Sequence, residues 1–217
     1  MNNREKLVKK LIEEGYLKSP HIIEAMKKVK REFFMSKEYK KYAYIDQPFP
    51  IPPFTAQTIS APHTYAIIYE ALELKENDKF LEIGTGSGYG AVLAKEIVKN
   101  GLVVSIEINK ETFEFAKKNI EKAGYKDIIL FNRDGKLGCP EYAPFDKICV
   151  TAAAKEIPHI LIDQLKDNGK MIVPVGPEYA TQKLVLIEKR QNKQKNSNLC
   201  CLCAFNLAFL DHFLIKT

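Results

Sequence analysis

The residues best suited to chemistry lie in one stretch, Lys79-Phe80-Leu81-Glu82-Ile83-Gly84-Thr85-Gly86-Ser87-Gly88-Tyr89-Gly90. A short apolar run with an acid near its end reads as a buried strand. The glycines behind it allow a sharp turn, and a helical pattern opens at Ala91. Glycine has no side chain to hold a ligand off and tolerates positive φ. The helix that follows aims its free N–H groups at whatever sits above the strand. The spacing narrows the ligand. A dinucleotide fingerprint requires glycine where Tyr89 stands, and no Lys-Ser or Lys-Thr follows, which excludes a P-loop. The acid in Glu82-x-Gly84-x-Gly86-x-Gly88 suits a ligand with a cationic amino-acid tail and would repel a pyrophosphate. A glycine-rich turn without a ligand is the plain alternative.

Two further acids fall at predicted carboxyl ends of later strands. Glu107, 19 residues after Gly88, is placed to accept both hydroxyls of a ribose, or else is a solvated strand-end carboxylate. Asp134-Gly135 is placed to take an adenine amino group, although a β-turn alone explains that pair. Ligands of a doubly wound sheet bind beyond the carboxyl ends of its strands. Three acids at three such ends describe one site.

The elements that must position them alternate from Lys79 onward, the signature of a parallel α/β sheet. Strands are predicted at 79–83, 102–107, 127–132, 146–151, 170–175 and 182–188, with Pro174 making the fifth irregular at its end. Helices fall between them, to about Lys99, at 110–123 and around 157–166. An apolar stretch at 199–210 completes the set, joined by a polar, basic segment from Arg190 to Asn198 that reads as an exposed hairpin loop. Ahead of the sheet, Leu7, Val8, Leu11 and Ile12 fall at helical spacing with Gly15 to end the helix. Ser19-Pro20 opens a second helix with Ile22, Ile23, Met26 and Val29 on its apolar face, and Phe33, Phe34 and Met35 anchor this layer. Residues 45–62 carry five prolines, which forbid regular structure, and the polar residues Gln57, Thr58 and Ser60 precede a helix from about His63 to Leu74. Such a segment spans a surface or lines a cleft; its apolar content argues against a flexible linker. Residues 1–62 are too few for a core of their own. They are expected to pack on a main domain of residues 63–217 as one structural unit.

The 217 residues allow a large core, and a net charge of +6, much of it in lysine-rich faces near both ends, points to solvated surfaces rather than a nucleic-acid groove. No apolar run reaches membrane-spanning length and no secretory leader is evident. Five cysteines show neither disulfide-framework nor zinc spacing; Cys149 reads as a buried hydrophobe, and Cys200-Cys201-x-Cys203 lacks a second ligand pair, so no metal is expected. A cytoplasmic monomer without nucleic-acid or membrane partners is the expectation.

Several stretches resemble one family. Gln57-Thr58-Ile59-Ser60-Ala61-Pro62-His63 and Leu81-Glu82-Ile83-Gly84-Thr85-Gly86-Ser87-Gly88-Tyr89 are similar to segments of protein-L-isoaspartate O-methyltransferases. So are Arg133-Asp134-Gly135, Ala143-Pro144-Phe145-Asp146, Val150-Thr151-Ala152-Ala153, Ile157-Pro158, Gln164-Leu165-Lys166 and Ile172-Val173-Pro174-Val175-Gly176. The glycine motif is shared with class I methyltransferases generally, whereas the Gln-Thr-Ile-Ser-Ala-Pro and Ile-Val-Pro-Val-Gly segments are closer to family-specific.

The resemblance implies a Rossmann-like class I methyltransferase sandwich around a mostly parallel seven-stranded sheet, with the order of the last two strands exchanged and extra N-terminal helices. It implies S-adenosyl-L-methionine as cofactor and the free α-carboxylate of L-isoaspartyl residues in damaged proteins and peptides as methyl acceptor. Carried over to this chain, the catalytic residue is Ser60. The cofactor-binding set is Gln57, Thr58, Ile59, Glu82, Gly84, Gly86, Gly88, Glu107, Asp134 and Gly135. Without the resemblance, Ser60 reads first as the cap of the helix near His63. His63 is assigned no catalytic role, and Asp46 either caps a turn or faces the cleft. Ala56 stands where the family has glycine, beside Phe54-Thr55. Ala204-Phe205-Asn206-Leu207-Ala208-Phe209-Leu210 lacks the proline of the family's last strand. Two other readings follow from these residues. One is a different class I methyltransferase acting on RNA or a small molecule, disfavoured by Val150-Thr151-Ala152-Ala153 where an amino-methylating tetrapeptide would stand. The other is a cofactor-binding homologue without turnover. An NAD oxidoreductase is more distant, given Tyr89.

Overall fold

The computed structural model describes residues 2–52, 57–152, 154–177, 182–190 and 193–203, the last segment by its backbone. In chain order the elements are α1 (Asn3–Glu13), α2 (Pro20–Lys28), β1 (Phe49–Pro50), β2 (Thr58–Ile59), α3 (Pro62–Leu72), β3 (Lys79–Ile83), α4 (Tyr89–Ile97) and β4 (Leu102–Glu107). They continue with α5 (Lys110–Lys122), β5 (Ile128–Asn132), β6 (Phe145–Val150), α6 (His159–Asp163), β7 (Leu165–Val175), β8 (Gln182–Arg190) and β9 (Lys193–Cys203). Seven strands form one sheet in the order β5-β4-β3-β6-β7-β8-β9, and β1 and β2 make a separate hairpin. The first five strands of the sheet run parallel. β7–β8 and β8–β9 are antiparallel, so the last two strands lie in simple chain order.

The apolar runs predicted as buried strands are buried on both faces. Phe80 and Leu81 of β3, Val103 and Val104 of β4, and Ile148 of β6 have no exposed surface. One core lies on the side shared with α1, α2, α3 and α4, joining Leu11, Ile22 and Phe34 to Phe80, Val92 and Val103. The other packs Leu81, Ile106, Phe145 and Leu161 on the opposite face. The N-terminal helices bury Leu7, Val8, Leu11, Ile22, Met26 and Val29 of their predicted stripes there, whereas Ile12 is exposed and Ile23 half-buried. Gly15 terminates α1 at φ +79°, a conformation that favours glycine. Tyr89 is buried between this layer and α3, with ring centroids 5.4 Å from Phe34 and 5.1 Å from Tyr65. The position that a dinucleotide fold reserves for glycine is therefore filled by a packing contact.

Three boundaries differ from the sequence reading. The α6 helix is a single short turn of five residues, not a span of 157–166. Regular pairing of β7 with β6 begins at Lys170, as predicted, but a register shift draws residues 165–169 into the strand, with Asn168 at φ +62°. Pro174 and Val175 keep their antiparallel partners Leu184 and Lys183, so the proline does not break the strand. The polar segment before Asn198 is not a loop. Lys193 to Ser197 pair in register with Arg190 to Leu186, and polar residues are tolerated because β9 is the edge strand. Residues 204–217 lie outside the described part, as do Phe54, Thr55 and Ala56. No helix among the described residues is long and apolar enough to cross a membrane.

Candidate active site

The glycine turn after β3 is held from every side. The N–H groups of Gly84 and Thr85 donate to the Ile106 carbonyl at 2.8 and 3.2 Å, and Gly88 N–H closes the turn onto Thr85 O at 2.9 Å. From β6, the Thr151 hydroxyl donates to Gly84 O at 2.7 Å. From α5, the Asn119 amide donates to Ser87 O at 3.0 Å. All three motif glycines have positive φ, +100° at Gly84, +55° at Gly86 and +87° at Gly88. Their surroundings differ. A Cβ on Gly84 would fall 2.2 Å from Thr151 Oγ1, and one on Gly88 would fall 2.9 Å from Ile120 Cγ1. Among the described residues, a Cβ on Gly86 would meet only Ile51 Cδ1, at 4.0 Å, so among them the turn is open at its middle glycine.

Glu82 lies beneath this turn, 2% exposed. Its carboxylate accepts from the Ser105 hydroxyl at 2.6 Å, and Ser105 in turn takes the Thr85 hydroxyl at 2.7 Å. With Glu82 ionised and accepting the Ser105 proton, Thr85 donates to Ser105; with Glu82 protonated, either hydroxyl of that pair can donate. Glu82 thus acts on the turn through two hydroxyls. Burial pushes its carboxyl up to about 8; the Ser105 hydrogen bond opposes this and the nearby Glu107 charge adds to it. Glu107, at the end of β4, accepts the N–H of Gly86 at 2.9 Å with one oxygen and that of Asn109 at 3.0 Å with the other. Burial raises this carboxyl too, against the hydrogen bonds from Gly86, Asn109, Ile108 and Gln57. A carboxylate has about four acceptor sites, so a ligand hydroxyl at Glu107 would share or displace one of these donors.

Asp134 accepts the Lys136 N–H at 2.9 Å, forming the turn that its sequence suggested. That turn is brought against the site because Gly135 sits on β3, where a Cβ would be 2.5 Å from Ile83 Cγ2. Gln164, buried on the far side, fixes the rest of the loop by accepting Cys139 N–H at 2.8 Å and donating to Leu137 O at 2.7 Å.

The proline-rich segment covers the other side. β1 and β2 pair Phe49 with Ile59 and Pro50 with Thr58, and Ile51 N–H donates to Gln57 O at 3.0 Å. The Gln57 side chain accepts the Thr112 hydroxyl at 2.5 Å and reaches Glu107. Through Gln57 the segment therefore packs against the Glu107 end of β4. Ser60 follows β2 and does not cap α3. The cap residue is Ala61, without a side-chain cap, and the first turn is held instead by Asp46, which accepts His63 N–H at 2.9 Å and the His63 ring at 3.0 Å. The structure thus brings together Gln57, the three glycines, Glu107, Asp134 and Gly135, keeps Glu82 underneath, and sets Thr58, Ile59 and Ser60 at the hairpin's outgoing strand. Thr151 and Asn119, which hold the turn, were not assigned to the site; neither stands in a pattern that spacing alone would single out.

The sequence model of the protein-L-isoaspartate(D-aspartate) O-methyltransferase (PCMT) family matches residues 2–207. The chain belongs to that family. It is similar to the protein-L-isoaspartate O-methyltransferase of Pyrococcus horikoshii, with 47% identity over 188 residues covering 87% of this chain and 84% of that one. The Methanopyrus kandleri protein of the same name is 42% identical over 204 residues, covering 93% and 89%. Among solved structures, a protein-L-isoaspartate O-methyltransferase superimposes with a TM-score of 0.83 at 34% identity over 90% of this chain. This chain spans 63% of that longer protein. A Plasmodium falciparum chain described as a beta-aspartate methyltransferase of this family, in complex with S-adenosyl-L-homocysteine, gives a TM-score of 0.81 at 28% identity, covering 95% and 100%.

Proposed function

We propose that the chain transfers the methyl group of S-adenosyl-L-methionine to the free α-carboxylate of L-isoaspartyl residues in damaged proteins and peptides. The observation that carries this reading is the open middle of the glycine turn at Gly86, flanked by the Glu107 carboxylate and roofed by the hairpin that leads to Ser60. This arrangement fits an adenosyl cofactor. Gly86 leaves room for it, Glu107 has acceptors for ribose hydroxyls, Asp134-Gly135 stands where an adenine amino group would be taken, and Gln57, Thr58 and Ile59 close the cleft above. Glu82 supports the turn from below through Ser105 and Thr85.

When bound, the cofactor supplies a methyl group already activated on a sulfonium sulfur. The acceptor carboxylate is ionised at neutral pH, so the protein needs no general base. What remains for its residues is to align the acceptor oxygen with the methyl group and exclude water. The Ser60 hydroxyl is free of helix capping and donates a hydrogen bond to the acceptor carboxylate, orienting one oxygen. The methyl ester formed then cyclises to a succinimide as the neighbouring backbone amide nitrogen displaces methanol, and hydrolysis of the ring gives in part the normal aspartyl linkage. A monomeric, cytoplasmic enzyme without nucleic-acid or membrane partners belongs to the same reading, with residues 1–62 contributing the site's roof to the domain of residues 63–217.

Two peptides identical except for one isoaspartyl or one aspartyl linkage test this, each incubated with methyl-labelled cofactor. Base-labile label on the isoaspartyl peptide alone is expected. Label on neither, with S-adenosylhomocysteine still bound in calorimetry, would replace this reading with that of a binding homologue.

A further inference from the structure

Arg31 follows α2 in a short 3-10 turn and is fully buried. Among the described residues it forms no salt bridge, and its Nε has no hydrogen-bond partner. Its partners are backbone carbonyls. Nη1 donates to Ala43 O at 2.8 Å and, at 3.4 Å, to Ile45 O; Nη2 donates to Gln47 O and Ser60 O, each at 3.0 Å. A guanidinium buried without a carboxylate carries a desolvation cost of several kcal/mol, and its pKa is lowered by that burial. Apolar packing would serve stability better, so the geometry of the four carbonyls is the informative feature. Gln47 precedes β1 and Ser60 follows β2. One nitrogen therefore ties together the two ends of the hairpin that roofs the cleft. The Ser60 carbonyl is thereby engaged, while the Ser60 hydroxyl makes no hydrogen bond among the described residues.

We propose that Arg31 is a positioning residue for the methyl transfer, acting through the Ser60 backbone. This rests on the role given to Ser60 above. A planar fork that reaches two chain segments at once is specific to arginine, and a lysine ammonium cannot reproduce it.

The test measures kcat for the isoaspartyl peptide at saturating cofactor, normalised to the S-adenosylhomocysteine stoichiometry found by calorimetry. Wild-type protein is assayed first; no methylation by it would remove the functional reading and this inference together. With active wild type, Arg31→Met is expected to lose about 100-fold in kcat per cofactor site, the scale of an ångström-sized misplacement. Cofactor stoichiometry should stay near one. Because Arg31 acts through Ser60, Arg31→Met should cost little more once Ser60→Ala is present. Should Arg31→Met fail to fold, Arg31→Lys, alone and combined with Ser60→Ala, carries the same comparison. A wild-type kcat per site with only a lowered Tm, or losses that multiply in the double variants, would overturn the proposal.

Discussion

The Glu107 carboxylate accepts the backbone N–H of Gly86 at 2.9 Å, so the acid at the end of β4 and the open glycine of the turn after β3 form one unit. Its other oxygen takes Asn109 N–H at 3.0 Å. Glu107→Gln would leave one of these N–H groups facing an amide donor. A hydrogen bond to a charged group contributes about 1.5–3 kcal/mol, so S-adenosylhomocysteine affinity should fall roughly tenfold to hundredfold. Calorimetry reads this directly, and an unchanged Kd would remove Glu107 from the cofactor site.

Gly84 and Gly86 should respond oppositely to alanine. At Gly84 a Cβ would meet Thr151 Oγ1 at 2.2 Å, so Gly84→Ala should act mainly on stability, lowering Tm by several degrees at about 2–4 °C per kcal/mol. At Gly86 the added methyl meets, among the described residues, only Ile51, at 4.0 Å. The backbone cost there is roughly 1–2 kcal/mol, and the larger effect should be on cofactor affinity. Equal losses of affinity in the two variants, with equal Tm, would contradict the open-centre geometry.

Glu82 sets a pH dependence. Its folded-state carboxyl is pushed up to about 8, chiefly by burial, above the ordinary glutamate value of about 4.3. The folded protein therefore holds a proton that the unfolded chain releases between those values. Stability from this group is present below the lower value and is lost as pH rises through the upper one. The Tm of cofactor-free protein should decline from about pH 5 to about pH 8.5 more steeply in wild type than in Glu82→Gln, which keeps an acceptor for Ser105. Parallel Tm profiles for the two proteins would count against a buried, protonated Glu82.

Ser60 is not a helix cap, since α3 begins at Ala61 without a side-chain cap. Ser60→Ala should accordingly change stability by no more than about 0.5 kcal/mol, whereas loss of a cap costs about 1 kcal/mol. Its kcat on an isoaspartyl peptide should fall roughly tenfold to hundredfold through lost alignment. Thermal denaturation and steady-state assay of the one variant separate these, and a clear Tm loss with full activity would favour the capping role.

Much of the sheet was legible because its signals are local. β3 and β4 fall at 79–83 and 102–107 as their apolar runs predicted, and the glycine turn between β3 and α4 follows from residues next to one another in the chain. Where partners decide, the pattern misled. The segment 193–198 is polar and reads as a loop, yet β8 supplies a full register of antiparallel partners for it. Pro174 suggests an irregular strand end, yet Pro174 and Val175 keep their places opposite Leu184 and Lys183.

The sequence by itself determined the class of fold, the ligand chemistry and the family resemblance, because turn conformation, strand burial and acid placement are carried by residues close together in the chain. Only the tertiary structure decided that Ser60 is free of α3 and that Glu82 works beneath the turn. It alone placed Arg31, 29 residues earlier, against the Ser60 carbonyl. The physical reason is that these relations are hydrogen bonds to backbone atoms. A backbone carbonyl leaves no mark on residue type, so an arginine that serves four of them looks in the sequence like any other basic residue.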